Sequence, residues 1–201
     1  MLAEVYGSLG FVGDEGNYYD PSNSLIHLVL ERRRGIPLTL ASVAAELARR
    51  VGIDLRPIGM PGHVLLGEGP EPDTWYDPFR GGMQLGYDDC RELYARFHAV
   101  EAFNPDMLRA LPAEGVAVRT LNNLRVAYAR RGELAKTIPV LELRADMTEA
   151  SFSDRLDLAN LLAHFGRFPQ AAKQYERLAD QDQSQHELYL ARAAACRAHS
   201  N

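Results

Sequence analysis

The sequence predicts an α+β domain with a small antiparallel sheet, followed by an all-α helical domain. Three observations predict this. Apolar residues recur at helical period over residues 24–33 and again over 37–51. Short β-type segments separated by turn residues follow, as RPIG, HVLLG, TWYDPF and GMQL. From about residue 117 onward only helical periodicity remains, and that region repeats itself.

Each element has its own justification. Residues 2–9 place Leu2, Val5, Tyr6 and Leu9 on one face of a short helix, and the turn-rich DEGNYYDPSNS is a linker. A helix from about Ser24 to Arg33 puts Leu25, Ile26, Val29 and Leu30 on an apolar side and Ser24, His27, Glu31 and Arg34 on a polar one. Gly35 is expected to end it as a C′ glycine. Pro37 suits the first turn of the next helix, where its missing N–H would be unpaired anyway. That helix runs to about Val51 and stops at Gly52, with Leu40, Val43, Ala44, Leu47 and Val51 on one arc. Thr39, Ser42, Glu46, Arg49 and Arg50 share the opposite arc. Among the β-type segments, a hairpin of HVLLG and TWYDPF centred on Pro70 sets His63 opposite Asp77 and Leu65 opposite Trp75. A further helix opens near Asp88, and Pro105 and Pro112 mark a connection. These signals divide the chain into domains of residues 1–112 and 113–201. In the second, Gly132 of AYARRGELAKTIPVLE and Gly166 of LLAHFGRFPQAAKQYE lie 34 residues apart, the tetratricopeptide (TPR) period. Leu158, Ala159, Leu162, Phe168, Ala171 and Tyr175 fall at that pattern's positions. Leu124, Tyr128, Leu134 and Leu141 give a weaker match, with Pro139 inside a helix. A helix from about His186 to Arg197 closes the series.

Composition narrows the function classes. The 201 residues are 46% hydrophobic and 24% charged, enough for a core and too balanced for disorder. A net charge of -5 and a pI near 5.7 argue against nucleic-acid binding, which needs clustered cations. The basic run Arg32, Arg33 and Arg34 falls at a helix C-terminus, where cations complement the dipole. The start MLAEVYGSLGF does not read as a signal peptide, and no segment reaches the ~20 apolar residues of a membrane span. The cysteines, Cys90 and Cys196, have no framework spacing, so a reducing cytoplasmic setting is expected. The six histidines lack ligand spacing, and neither a metal site nor a cofactor is expected.

The pieces GFVGDEGNYYDPSNSLIHLVLERRRGIPLTLA, PGHVLL and YDPFRGG resemble the bacterial SirB-type family. That family couples a transglutaminase-like, papain-like core to C-terminal TPR-like helices. Its members usually carry extra helical sequence before the GF segment, and this chain departs from them there. The resemblance implies a Cys–His–Asp constellation in which His63 takes the base position and Asp77 the orienting one. The cysteine position falls on Pro37, a loss the SirB-type pattern shares. Proline has no nucleophile and no N–H to stabilise an oxyanion. Losing a triad nucleophile costs on the order of 10⁶ in kcat, or about 8 kcal/mol, so thiol transglutaminase or protease activity is not expected. Thr39 and Cys90 are weak substitutes, the latter because Asp88 and Asp89 would raise its pKa. Asn23 and Glu31 are candidates to line a pocket beside the dyad, with a helix cap and a solvated helix face as their plainer readings. The leading expectation is a non-catalytic binding or regulatory module holding a protein or peptide partner. The competing one is a cysteine-independent hydrolase or acyl-transfer enzyme with a His63–Asp77 dyad as general base. A hydrogen-bonded dyad in an open pocket would favour the enzyme, and a pocket filled by side chains would favour the module.

Overall fold

The computed structural model describes residues 1–98, 102–147 and 151–199. They form two compact units, Met1–Asn123 and Leu124–Asn201. The first is the expected α+β unit. After a tight helical turn at Glu4–Ser8 come β1 (Val12–Gly13), α1 (Ile26–Arg32), β2 (Arg34–Gly35), α2 (Pro37–Arg50), β3 (Leu55–Ile58), β4 (Leu65–Glu68), β5 (Trp75–Asp77), β6 (Met83–Leu85) and α3 (Tyr87–Ala95). Strands β3 to β6 form an antiparallel meander, while β1 and β2 make a short parallel pair.

Alternation along the strands explains the layering. Leu66 packs into the cluster of Leu38, Leu40, Val43 and Ala44 from α2. Leu65, one residue earlier, joins Trp75, Leu85, Cys90, Leu93 and Tyr94 on the α3 side. Both sheet faces are thus covered, which is why β4 reads as an apolar run and not as a strict alternation. Helix α2 opens with Pro37 at its first position and ends before Gly52, whose φ of +78° permits the turn.

Three expectations are corrected. Helix α1 ends at Arg32, and Arg33, not Gly35, takes the left-handed position at φ 55°. Gly35 is instead required for close packing, since a Cβ there would meet Thr39 Oγ1 at 2.7 Å. The apolar face assigned to α1 is mostly uncovered: Val29 is fully buried, but Ile26 and Leu30 are 46% and 52% exposed, and Ser24 of the polar stripe is buried. The hairpin pairs Leu66 with Tyr76 and Gly67 with Trp75, centring it on Glu71 instead of Pro70. Pro72 packs so tightly over Gly67 that a Cβ there would sit 2.5 Å from its ring. Continuing the ladder puts Leu65 opposite Asp77, a displacement by an even number of residues, so His63 and Asp77 stay on one side as diagonal neighbours.

The remaining helices are α4 (Ala113–Arg130), α5 (Leu134–Ala145), α6 (Phe152–His164), α7 (Phe168–Gln181) and α8 (His186–Ala198). The division between the units falls within α4. The turns after α4 and α6 both use left-handed glycines, Gly132 at φ 70° and Gly166 at φ 72°. Ile138, Leu141, Leu158, Leu162, Tyr175, Leu178 and Tyr189 belong to the core of the second unit. Pro139 sits inside α5 on its exposed side, where water can reach the carbonyl it leaves unpaired.

Candidate functional site

The site lies where the start of α2 meets the turn before β4. The first turn of α2 is fixed from within: Thr39 Oγ1 donates to Asn23 O at 2.7 Å and accepts from Ile36 N–H at 3.2 Å. Pro37 brings no N–H, and the Leu38 N–H makes no hydrogen bond among the described residues, as expected of a first-turn donor. His63 stands in the turn after Gly62, its own N–H donating to Met60 O at 3.2 Å. Gly62 has φ +77°, and a Cβ there would meet Phe97 Cβ at 2.9 Å. The His63 ring stacks on Phe97 with centroids 6.1 Å apart.

Asp77 ends β5 and caps the following turn of helix. Its Oδ1 accepts both the Phe79 N–H and the His63 ring at 2.9 Å. Its Oδ2 lies 3.8 Å from Arg80 Nε and has no hydrogen bond among the described residues. The pair is well shielded, with side-chain exposures of 9% for His63 and 1% for Asp77. A carboxylate only accepts, so the His63 nitrogen facing it, Nε2, carries the proton. Nδ1 has no partner among the described residues. In the neutral ring it is the free base. The Asp77 charge reaches further. Burial pushes the Cys90 thiol up to about 12, helped by Asp89 and Asp77, so this cysteine is inert as a nucleophile. Burial first, then Asp77, also raises the Tyr6 phenol.

Two cavities meet at His63. One, of about 370 Å³, is lined by residues that include Ile36, Pro37, Leu38, His63, Arg119 and Asn123. The other, of about 500 Å³, is lined by Glu15, Tyr19, Asp77, Phe79, Arg80 and Phe97 among others. Tyr18, Gly62 and His63 border both. The first lies within the usual size range of small-ligand pockets.

Of the candidates read from the sequence, His63, Asp77 and Pro37 come together here. Asn23 and Thr39 do not line either cavity. Asn23 is fully buried, its amide donating to Asn17 O at 2.9 Å and its Oδ1 accepting from Arg32 at 3.4 Å, so it braces the loop that carries Tyr18. Thr39 is buried as the helix cap, not set on a polar arc. Glu31 is exposed on α1 and borders neither cavity. The sequence reading missed Tyr18, Arg119, Asn122 and Asn123. The last three recur at helical spacing on α4, a signal that marks a shared face without saying what it meets. Among the described residues no group of His, Cys, Asp or Glu is arranged to hold a metal ion. No helix among them is long and apolar enough to cross a membrane.

The family model described as the transglutaminase-like superfamily matches residues 1–122, nearly the whole of the first unit. A UPF0162 protein of Xylella fastidiosa (strain Temecula1) is 38% identical over 133 residues, covering 62% of this chain and 46% of the relative. A UPF0162 protein of Pseudomonas aeruginosa is 40% identical over 126 residues, with the same coverage of 62% and 46%. Human F-box only protein 21 is 28% identical over 179 residues, or 83% of this chain and 28% of that protein. The chain thus spans just under half the length of these bacterial relatives. No solved structure matches it.

Proposed function

The chain belongs to the transglutaminase-like superfamily, and from that premise we propose that its first unit is a non-catalytic binding module, without a cysteine at the nucleophile position, whose cleft holds a peptide segment of a protein partner. One observation carries this reading. The cleft beside His63 has Pro37 at the start of α2, and none of its lining residues is a cysteine, serine or threonine. Its one hydroxyl, on Tyr18, is a phenol pushed above its ordinary pKa by burial and by Tyr19. Covalent acyl transfer therefore lacks an attacking group, while the open volume and the polar groups at its walls suit a ligand. The glycine-turned helix hairpins of the second unit, 34 residues apart, support a TPR-like reading in which those helices also receive a partner. Two free buried cysteines are consistent with a cytoplasmic setting.

The test is selection from a displayed peptide library, followed by measured affinities for the natural chain and for Asn123→Trp, which adds a bulky ring at a half-buried position of the cleft wall. Selected peptides that lose affinity for the folded variant support the reading. Peptides that bind both chains equally overturn it.

A second reading rests on the 2.9 Å His63–Asp77 hydrogen bond beside open cavities. This arrangement suits a general base that activates water. Hydrolysis of ester or amide panels that disappears in folded His63→Ala would establish that reading. Equal turnover by both chains would remove it.

A further inference from the structure

We propose that the cleft between α2 and α4 is built for a carboxylate, so that the bound peptide is recognised through an acidic group; this rests on the peptide-binding reading above. The chain as a whole is acidic, at -5. The residues lining this cleft nonetheless include no Asp or Glu and one permanent cation, Arg119. Arg119 is half-buried and makes no ion pair with any described residue. It is held by neutral acceptors alone, donating to Gly59 O and, at 3.2 Å, to Met60 O. Those two contacts leave part of its five-donor fork unused. The seat depends on bare backbone: a Cβ at Gly59 would sit 2.4 Å from Leu111 and 3.2 Å from the guanidinium. A half-buried cation without a counter-ion is an unbalanced charge, and a planar carboxylate matches its geometry in two hydrogen bonds.

Two further groups belong to residues that line the same cleft. The Leu38 N–H is an unpaired donor at the positive end of the 14-residue helix α2. His63 is nine-tenths buried, lines the cleft, and keeps Nδ1 without a partner. A carboxylate oxygen can accept from Nδ1 when that nitrogen carries a proton. Near that imidazole lie Asp77, Arg80 across Asp77, Phe97 stacked on the ring, His98 beside Gly62, Glu15 and Tyr19 at the second cavity, Arg119 at the first, and Tyr18 at both.

The test titrates the isotope-labelled full chain by NMR with three probes: N-acetylalanine, its N-methylamide, and N-acetylglutamate α-N-methylamide. The Leu38 amide and the Arg119 side chain are the reporters. The expected result is saturable binding of N-acetylalanine at both reporters, at least about tenfold tighter than its N-methylamide. That preference should be lost in Arg119→Gln. Arg119→Lys should retain part of it. Preference for N-acetylalanine over the glutamate probe identifies a chain terminus as the source, and the reverse identifies an acidic side chain. Equal affinity for N-acetylalanine, its neutral N-methylamide and the glutamate probe overturns the carboxylate inference and leaves peptide binding standing. No saturable change at Leu38 with any probe overturns both. The probe comparison is made on the natural chain, so it decides between these outcomes even if Arg119→Gln fails to fold.

Discussion

Pro37 replaces two things at once, a side-chain nucleophile and a backbone donor, and it does so without disturbing the helix that begins there. Its fixed φ suits the first position of α2, and it is buried against its neighbours. Pro37→Cys would return sulfur to the positive end of α2, in the same cleft as the free Nδ1 of His63. Both features favour thiolate. We expect iodoacetamide at neutral pH to label that cysteine at least about tenfold faster than Cys90, whose thiol burial, Asp89 and Asp77 push up to about 12. A mass-spectrometric time course measures both rates in one sample, and equal rates would contradict the assigned geometry. At this scale the His63–Asp77 pair was legible in the sequence, because the two-residue displacement of register seen here keeps the two on one side as diagonal neighbours. Arg119 was not legible. Its meaning depends on which carbonyls it finds, those of Gly59 and Met60, about sixty positions away.

Helix α1 shows what periodicity conveys and what it omits. Leu25, Ile26, Val29 and Leu30 do share a side, yet only Val29 reaches the core. An apolar stripe states that a face is oily, not which part of it is covered. Leu30→Ser should therefore change stability by no more than about 0.5 kcal/mol, while Val29→Ala should cost about 2 kcal/mol; urea melts compare them directly. The misplaced end of the same helix has a similar origin, since Gly35 was needed for contact with Thr39 and the left-handed turn fell to Arg33. Helix α6 offers a pH-dependent case. Asp154 is buried beside Arg144, with N–H···O distances of 2.9 and 2.6 Å, and the capping Ser151 hydroxyl belongs to the same turn. Burial raises the Asp154 pKa, but the hydrogen bonds to Arg144 and Ser151 outweigh it and hold the carboxyl below its ordinary value. A depressed folded pKa means stability that is present above the unfolded value and is lost as pH falls through the folded one. Asp154→Asn should cost about 1–3 kcal/mol near neutrality. The gap to the natural chain should close in acid, as urea midpoints across pH would record.

Across the whole molecule, the order of elements was readable from punctuation. Proline and glycine marked α2, the four β-type segments became β3 to β6, and a recurring glycine marked the helical hairpins. Hairpin register was less readable, because the seat of Pro72 over Gly67 is a packing fact and not a turn signal. The charge balance was readable in total but not in its distribution, since an acidic chain carries in its cleft an arginine with no ion pair among the described residues. That total has a bulk consequence: solubility should be lowest near pH 5.7, as light scattering across a pH series would show. The placing of His63 has a consequence of its own. With Tyr18 and Gly62, this residue borders two chambers at once, and Asp77 stands as the post behind its imidazole. Truncating that side chain to alanine would thin the wall the chambers share and leave a hole the shape of the missing ring. Free imidazole added from solution would then be a spare part, able to lodge against the stranded carboxylate and restore whatever the wall was there to do.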